Sequence, residues 1–81
     1  MFKQKTAEMR LATIGAIHNF DGPFNADDVE RHVVMSGFDV GFVGRILIDN
    51  ILVGAVRAKL VTLSVIRFGT RKLDSYERVP L

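Results

Sequence analysis

The chain has 81 residues, of which 48% are hydrophobic and 25% are charged, and it contains no cysteine. It is therefore long enough for one small domain, too apolar for a disordered protein, and unable to form disulfides, zinc fingers or iron–sulfur sites. The formal net charge is +2, but residues 1–40 carry four Lys or Arg against six Asp or Glu, whereas residues 41–81 carry seven against three. A basic C-terminal half suits a phosphate backbone or an acidic protein, although ordinary solubilising charge explains it equally well.

The sequence carries no sign of a membrane or export segment. No apolar stretch reaches the roughly 18 to 20 residues of a membrane span. The N-terminal residues are polar and lead into no apolar signal region with a small-residue cleavage site. We expect a cytoplasmic protein with no membrane partner, folded as a single domain over residues 1–81.

A first helix is predicted over residues 3–19. Its apolar residues recur at helical spacing, and they are Ala7, Leu11, Ile14 and Ile17. The pair Gly22-Pro23 then ends the regular structure.

A second helix is predicted over residues 26–36, with the clearest local signals of the chain. Asn25 suits an N-cap and Asp28 falls three residues later, while Phe24 and Val29 are spaced to form a hydrophobic staple. Gly37 suits the left-handed residue that follows a helix. The connection to the next helix is then short enough for a helix-turn-helix.

A third helix is predicted over residues 40–53, with Asp39 as its N-cap. The apolar face that we expect to reach the core consists of Val43, Ile46, Leu47 and Ile51. Ile48 and Leu52 lie outside that face, so the helix is apolar most of the way round and is expected to be covered on two sides. We therefore predict that Ile48 and Leu52 contact a second copy or another protein.

A β-hairpin is predicted over residues 60–79, because Val61, Leu63 and Val65 alternate with polar residues. If residues 69–72 form a four-residue loop, Arg67 faces Asp74 across the hairpin. Residues 55–60 either extend the third helix or begin the first strand.

Three helices, a tight turn between the second and third, and a terminal hairpin with a basic tip resemble the winged helix-turn-helix superfamily. The resemblance covers about residues 3–79 and implies an α+β fold. It also implies that the third helix enters the major groove of double-stranded DNA and that the hairpin, or wing, contacts phosphates or the minor groove. By position, Gly41, Gly44 and Arg45 would then lie on the recognition helix, and Arg67, Arg71 and Lys72 on the wing.

The candidate nucleic-acid-binding residues each have a second interpretation. Arg45 suits a bidentate contact to guanine, but its spacing from Asp49 favours an ion pair within the helix. Arg57 and Lys59 would lie on one side of a strand and extend a basic stripe towards Arg67, or they form an ordinary solvent face. The wing cations would contact phosphates, or they only block edge-to-edge pairing of strands.

Nothing in the sequence indicates catalysis or a bound cofactor. His18 and His32 are the only histidines, and they lie on different predicted helices without a ligand pattern. No nucleophile motif or glycine-rich phosphate loop occurs, so we expect no enzyme, no cofactor and no metal.

Two functions stay open at this stage. The first is a DNA-binding protein, such as a small transcriptional or mobile-element regulator, which we expect to bind as a homodimer. The alternative is a protein–protein interaction module that uses the apolar third helix without binding DNA.

Overall fold

The computed structural model describes residues 2–79, and it describes side chains from residue 6 onward except at position 68. It confirms an α+β domain in which a two-stranded antiparallel hairpin follows three helices, a winged-helix layout. The elements are α1 (Phe2–Asn19), α2 (Ala26–Met35), α3 (Gly41–Arg57), β1 (Val61–Phe68) and β2 (Arg71–Arg78).

The predicted start and end of α2 are confirmed. The backbone N–H of Asp28 donates to the Asn25 side chain at 2.8 Å, and the Asn25 N–H donates to the Asp28 carboxylate at 2.9 Å. This reciprocal capping box satisfies two amide groups that the first turn of a helix leaves without a partner. After the helix, Gly37 takes a φ of +100°, which a residue with a side chain rarely adopts.

The core lies where the three helices meet β1 and β2. Its largest fully buried apolar side chains are Val29, Val33, Ile48, Leu52 and Val61. The prediction for Ile48 and Leu52 is therefore wrong: both are core residues and neither faces a partner. The face that was expected inside is partly outside, since Val43 is 79% exposed and Ile46 is also exposed.

Gly44 explains why α3 packs with this face. A Cβ atom added to Gly44 would lie 2.9 Å from the Val40 Cγ1 atom and 3.0 Å from the Met9 sulfur. The missing side chain thus lets α3 approach its neighbours closely at this point. Residues four apart share one face of a helix, so Ile48 and Leu52 follow Gly44 into the core.

Both ends of α3 differ from the prediction. The N-cap is Val40, in helical conformation and without a side-chain hydrogen bond, so Asp39 does not cap the helix. A capping side chain requires an extended backbone at the N-cap residue. Here the N-cap residue is helical and the next residue, Gly41, has a φ of +59°, so this requirement is not met.

The helix continues to Arg57, three residues beyond Gly54 in sequence, and ends in a Schellman motif. The Lys59 N–H donates to the Val56 carbonyl and the Leu60 N–H to the Ala55 carbonyl. Residues 55–57 therefore extend α3, and β1 begins only at Val61.

The hairpin has a shorter loop than predicted. Phe68 pairs with Arg71, so Gly69 and Thr70 alone form the loop, and Arg67 faces Lys72 instead of Asp74. Gly69 takes a φ of +60°, as the first position of a type II′ turn requires. Such a turn has the twist of the flanking strands, which explains the two-residue loop.

Among the described residues, one isolated backbone bridge joins the hairpin to the segment before α2. Phe24 and Tyr76 exchange two backbone hydrogen bonds of 2.8 and 2.7 Å. Their rings also stack with centroids 5.9 Å apart, and Tyr76 is buried. The hairpin is thereby attached to the rest of the fold near its base, at Tyr76, and not at its tip.

Candidate functional site

The tip of the wing collects three cationic residues. Arg67 and Lys72 lie directly opposite each other on the two strands, and Arg71 follows the turn. All three are exposed, and within the part of the chain that the structure describes none of them forms an ion pair. Like charges that face each other across a hairpin reduce its stability. The tip is therefore positively charged.

Arg45 is bound to carboxylates of its own chain. Its Nη1 atom lies 2.7 Å from Asp27 and 3.5 Å from Glu30, both on α2, and its Nε atom lies 3.3 Å from Asp49. The hydrogen bond to Asp27 is the main cause of a raised Arg45 pKa, with Asp49 adding to it and desolvation opposing it. The predicted ion pair between Arg45 and Asp49 is present. Instead of being free to contact guanine, Arg45 links α3 to α2.

An acidic groove separates α3 from the wing. It has a volume of about 650 Å³ and runs between the N-terminus of α2, α3 and β2. Four carboxylate residues line it, and they are Asp27, Asp28, Asp49 and Asp74. The cations beside them are Arg45, which is already paired, and Lys72. This groove repels a phosphate backbone along most of its length.

The groove also affects Tyr76, whose side chain lies at its base. Desolvation raises the pKa of the Tyr76 phenol, and the negative charges of Asp74 and Asp49 raise it further. The neutral phenol is therefore favoured in the folded protein.

The first half of α3 exposes apolar side chains instead of polar ones. Phe42 is 82% exposed, Val43 is nearly as exposed, and Ile46 lies on the same side of the helix. Val43 and Ile46 line a second groove, of about 660 Å³, that continues to Met9 on α1. A spare apolar surface exists on α3 as predicted, but different residues form it.

Arg57 and Lys59 do not belong to the wing. Arg57 is the last residue of α3, and Lys59 lies in the turn after it, so neither is on a strand. The predicted basic stripe from these residues to Arg67 is wrong, because the helix is longer than its apolar spacing suggested. Lys59 instead lines a third cleft, between α1 and α3.

Among the residues that the structure describes, no group of three or more His, Asp or Glu is arranged to hold a metal ion. His32 packs edge-on to the ring of Phe20, with centroids 6.2 Å apart. In the same part of the chain, no helix is long and apolar enough to cross a membrane.

Comparison of the chain with protein-family models, with curated proteins and with solved structures finds no match.

Proposed function

We propose that this protein binds double-stranded DNA through the phosphate backbone, with the tip of the wing as its main contact. The observation that carries the proposal is a cluster of three exposed cations at a two-residue turn, Arg67, Arg71 and Lys72, none of which forms an ion pair within the described residues. Facing cations weaken a hairpin by themselves, and an external polyanion removes that repulsion. Gly69 at the turn leaves room for a close approach of the wing to a phosphate.

The third helix contributes little to base recognition in this proposal. Arg45 is paired with three carboxylates. The exposed side chains of the first turn, Phe42 and Val43, carry no hydrogen-bonding group. Reading bases in the major groove needs side chains that donate to or accept from base edges. We therefore expect a DNA-binding regulator whose sequence preference comes from DNA shape or from a partner, and not from α3.

The test is fluorescence anisotropy of a labelled random duplex titrated with the protein at several salt concentrations. Because each neutralised phosphate contributes about 0.9 to the slope of log K against log salt, Arg67→Ala with Lys72→Ala should reduce that slope by about 1.8. The variant should not be less stable than the parent protein, since it loses a repulsive pair. Arg45→Met should leave the DNA affinity unchanged.

The matched control is Arg10→Ala with Arg31→Ala, which removes the same charge from exposed residues of α1 and α2. It should change the slope far less than the wing variant does. Equal losses in the two double variants would mean that only net charge matters. No binding by the parent protein at low salt would contradict the proposal altogether.

A second candidate function is a protein–protein interaction module, with a second copy of this chain as the partner. The exposure of Phe42 and Val43 at the start of α3 favours it. The acidic groove beside α3 is also complementary in charge to the wing of another copy. Sedimentation of the parent protein should then show a dimer that Phe42→Ser with Val43→Ser dissociates. Leu11→Ser, which changes an exposed residue of α1, is the control.

A further inference from the structure

The cleft that Lys59 lines lies on a different part of the surface from the wing tip. It is enclosed by the second half of α1, the end of α3 and the last residues of the hairpin, and its volume is about 330 Å³. Most of its wall is aliphatic, and four of these side chains are Ile14, Ile17, Ile51 and Leu60. Its size and lining are those of a small-molecule site, which typically measures about 300 to 1,000 Å³.

Gly54 lines the cleft. It lies inside α3, where glycine lowers helix stability relative to alanine. Neither backbone conformation nor packing requires it there, since its φ is not positive and no atom lies within 4 Å of an added Cβ. This contrasts with Gly44 on the same helix, where a side chain would collide with Val40. A larger residue at position 54 would occupy the cleft without disturbing the core.

The rim of the cleft is positively charged. Lys59 and Arg78 supply this charge, and no acidic side chain lines the cleft among the described residues. Arg78 is held in place because its Nε atom donates to the Phe20 carbonyl at 2.8 Å, and its ion-pair partner Asp21 is almost fully exposed. Lys59 forms no ion pair within the described chain.

The backbone of Lys59 adopts a conformation that is unusual for a residue with a side chain. Its φ is +62°, and it is the only residue besides glycine with a positive φ in the part of the chain that the structure describes. A lysine in this conformation is less stable than glycine, which commonly ends a helix in this way. Lys59 takes this conformation as the residue that ends α3 in its Schellman motif, and it places a cation beside the apolar cleft where glycine would place none.

We infer that this cleft binds a small amphiphilic anion, in which an aliphatic chain fills the space beside Gly54 and a carboxylate lies against Lys59 and Arg78. The inference does not rest on DNA binding, because neither Lys59 nor Gly54 belongs to the wing. Burial of the aliphatic chain provides affinity, and Lys59 and Arg78 favour anions over other amphiphiles.

The test is a titration of the full chain with decanoate below its micellar concentration, followed by amide chemical shifts. Saturable shifts should appear at Gly54, Leu60 and Val79. Decanol should bind about tenfold more weakly because it lacks the charge, and decylamine should bind more weakly still. Equal affinity for all three compounds would overturn the assignment of an anion, and an absence of saturable shifts would overturn the site.

Two variants separate the cleft from the fold. Gly54→Leu should abolish the shifts without loss of stability, whereas Gly15→Leu, at a glycine of α1 that is equally unobstructed and lies outside the cleft, should retain them. Lys59→Gly should weaken decanoate binding about tenfold while leaving decanol binding unchanged. If Gly54→Leu is folded and still binds decanoate like the parent protein, the ligand is elsewhere and the inference is wrong.

Discussion

Replacement of Leu52 by alanine tests the packing of α3 directly. Leu52 is fully buried in the same core as Ile48 and Val61. Truncation of a buried leucine costs about 2.7 to 5.0 kcal/mol, because apolar burial is lost and a cavity remains. A domain of 81 residues has a total stability of roughly 4 to 12 kcal/mol, at about 0.05 to 0.15 kcal/mol per residue. We therefore expect Leu52→Ala to lose a large fraction of the stability.

The assay is urea unfolding followed by far-ultraviolet circular dichroism. With a urea m-value of about 1.5 kcal/mol per molar, a loss of about 3 kcal/mol lowers the midpoint by roughly 2 M. The control is Val53→Ala, because Val53 is the next residue along the helix and is 48% exposed. Its midpoint should change by less than about 0.5 M. A smaller change for Leu52→Ala than for Val53→Ala would refute the packing described here, and so would a folded, monomeric Leu52→Glu.

The remaining predictions concern charge, backbone strain and pH. Arg45→Met should lower stability by about 1 kcal/mol at low salt and less at high salt, because the Arg45 side chain is 33% exposed and its carboxylate partners are 35 to 71% exposed, so that salt screens these ion pairs. Thermal unfolding at the two salt concentrations is the measurement, and equal losses of stability would contradict the prediction. Lys59→Gly should raise stability by about 1 kcal/mol in the same assay, whereas Lys59→Ala keeps the strained φ and should not. Because the Tyr76 pKa is raised above its ordinary 10.0 in the folded state, its contribution to stability is complete below pH 10.0 and is lost as the pH rises through the raised value. An absorbance titration should therefore find the phenol ionising above pH 10.0, and a midpoint at or below that value would contradict the burial of Tyr76.

The start of α2 could be predicted from the sequence because its determinants are local. Asn25 and Asp28 interact across three positions of the chain, and their types and spacing together specify the capping box. Gly37 was equally predictable, because few residues other than glycine take its positive φ.

The packing face of α3 could not be predicted from apolar spacing. The helix carries apolar residues on nearly every side, including Phe42, Val43 and Ile46 on the exposed part. A pattern of this kind has no unique inner face. The inner face is set at Gly44, where α3 packs so closely against Met9 of α1 that a side chain would not fit. The sequence alone does not reveal this contact between two helices.

The candidate site was incompletely predicted for a similar reason. The pairing of Arg45 with Asp27 joins residues 18 positions apart, so helical spacing indicated only the local pair with Asp49. The acidic groove likewise combines carboxylates of α2, α3 and β2. The position of the wing cations was predicted, whereas their partners across the hairpin changed with the loop length. The sequence feature that indicates the shorter loop is glycine followed by one further residue, Gly69-Thr70, because a type II′ turn places glycine first.

The open edges of the hairpin have a practical consequence for work with this protein. Among the described residues, β2 is paired on its outer side only at Phe24, and β1 has no strand on its other side. Residues 61–66 are rich in β-branched side chains and carry no charge, which is the composition of segments that add to one another edge to edge. Arg67, at the end of this segment, and Lys72, opposite it on β2, place like charges at the hairpin and oppose edge-to-edge pairing with neighbouring copies. Variants that lack them are therefore expected to aggregate at lower concentrations, and their DNA affinities are best measured with dilute protein cleared by centrifugation.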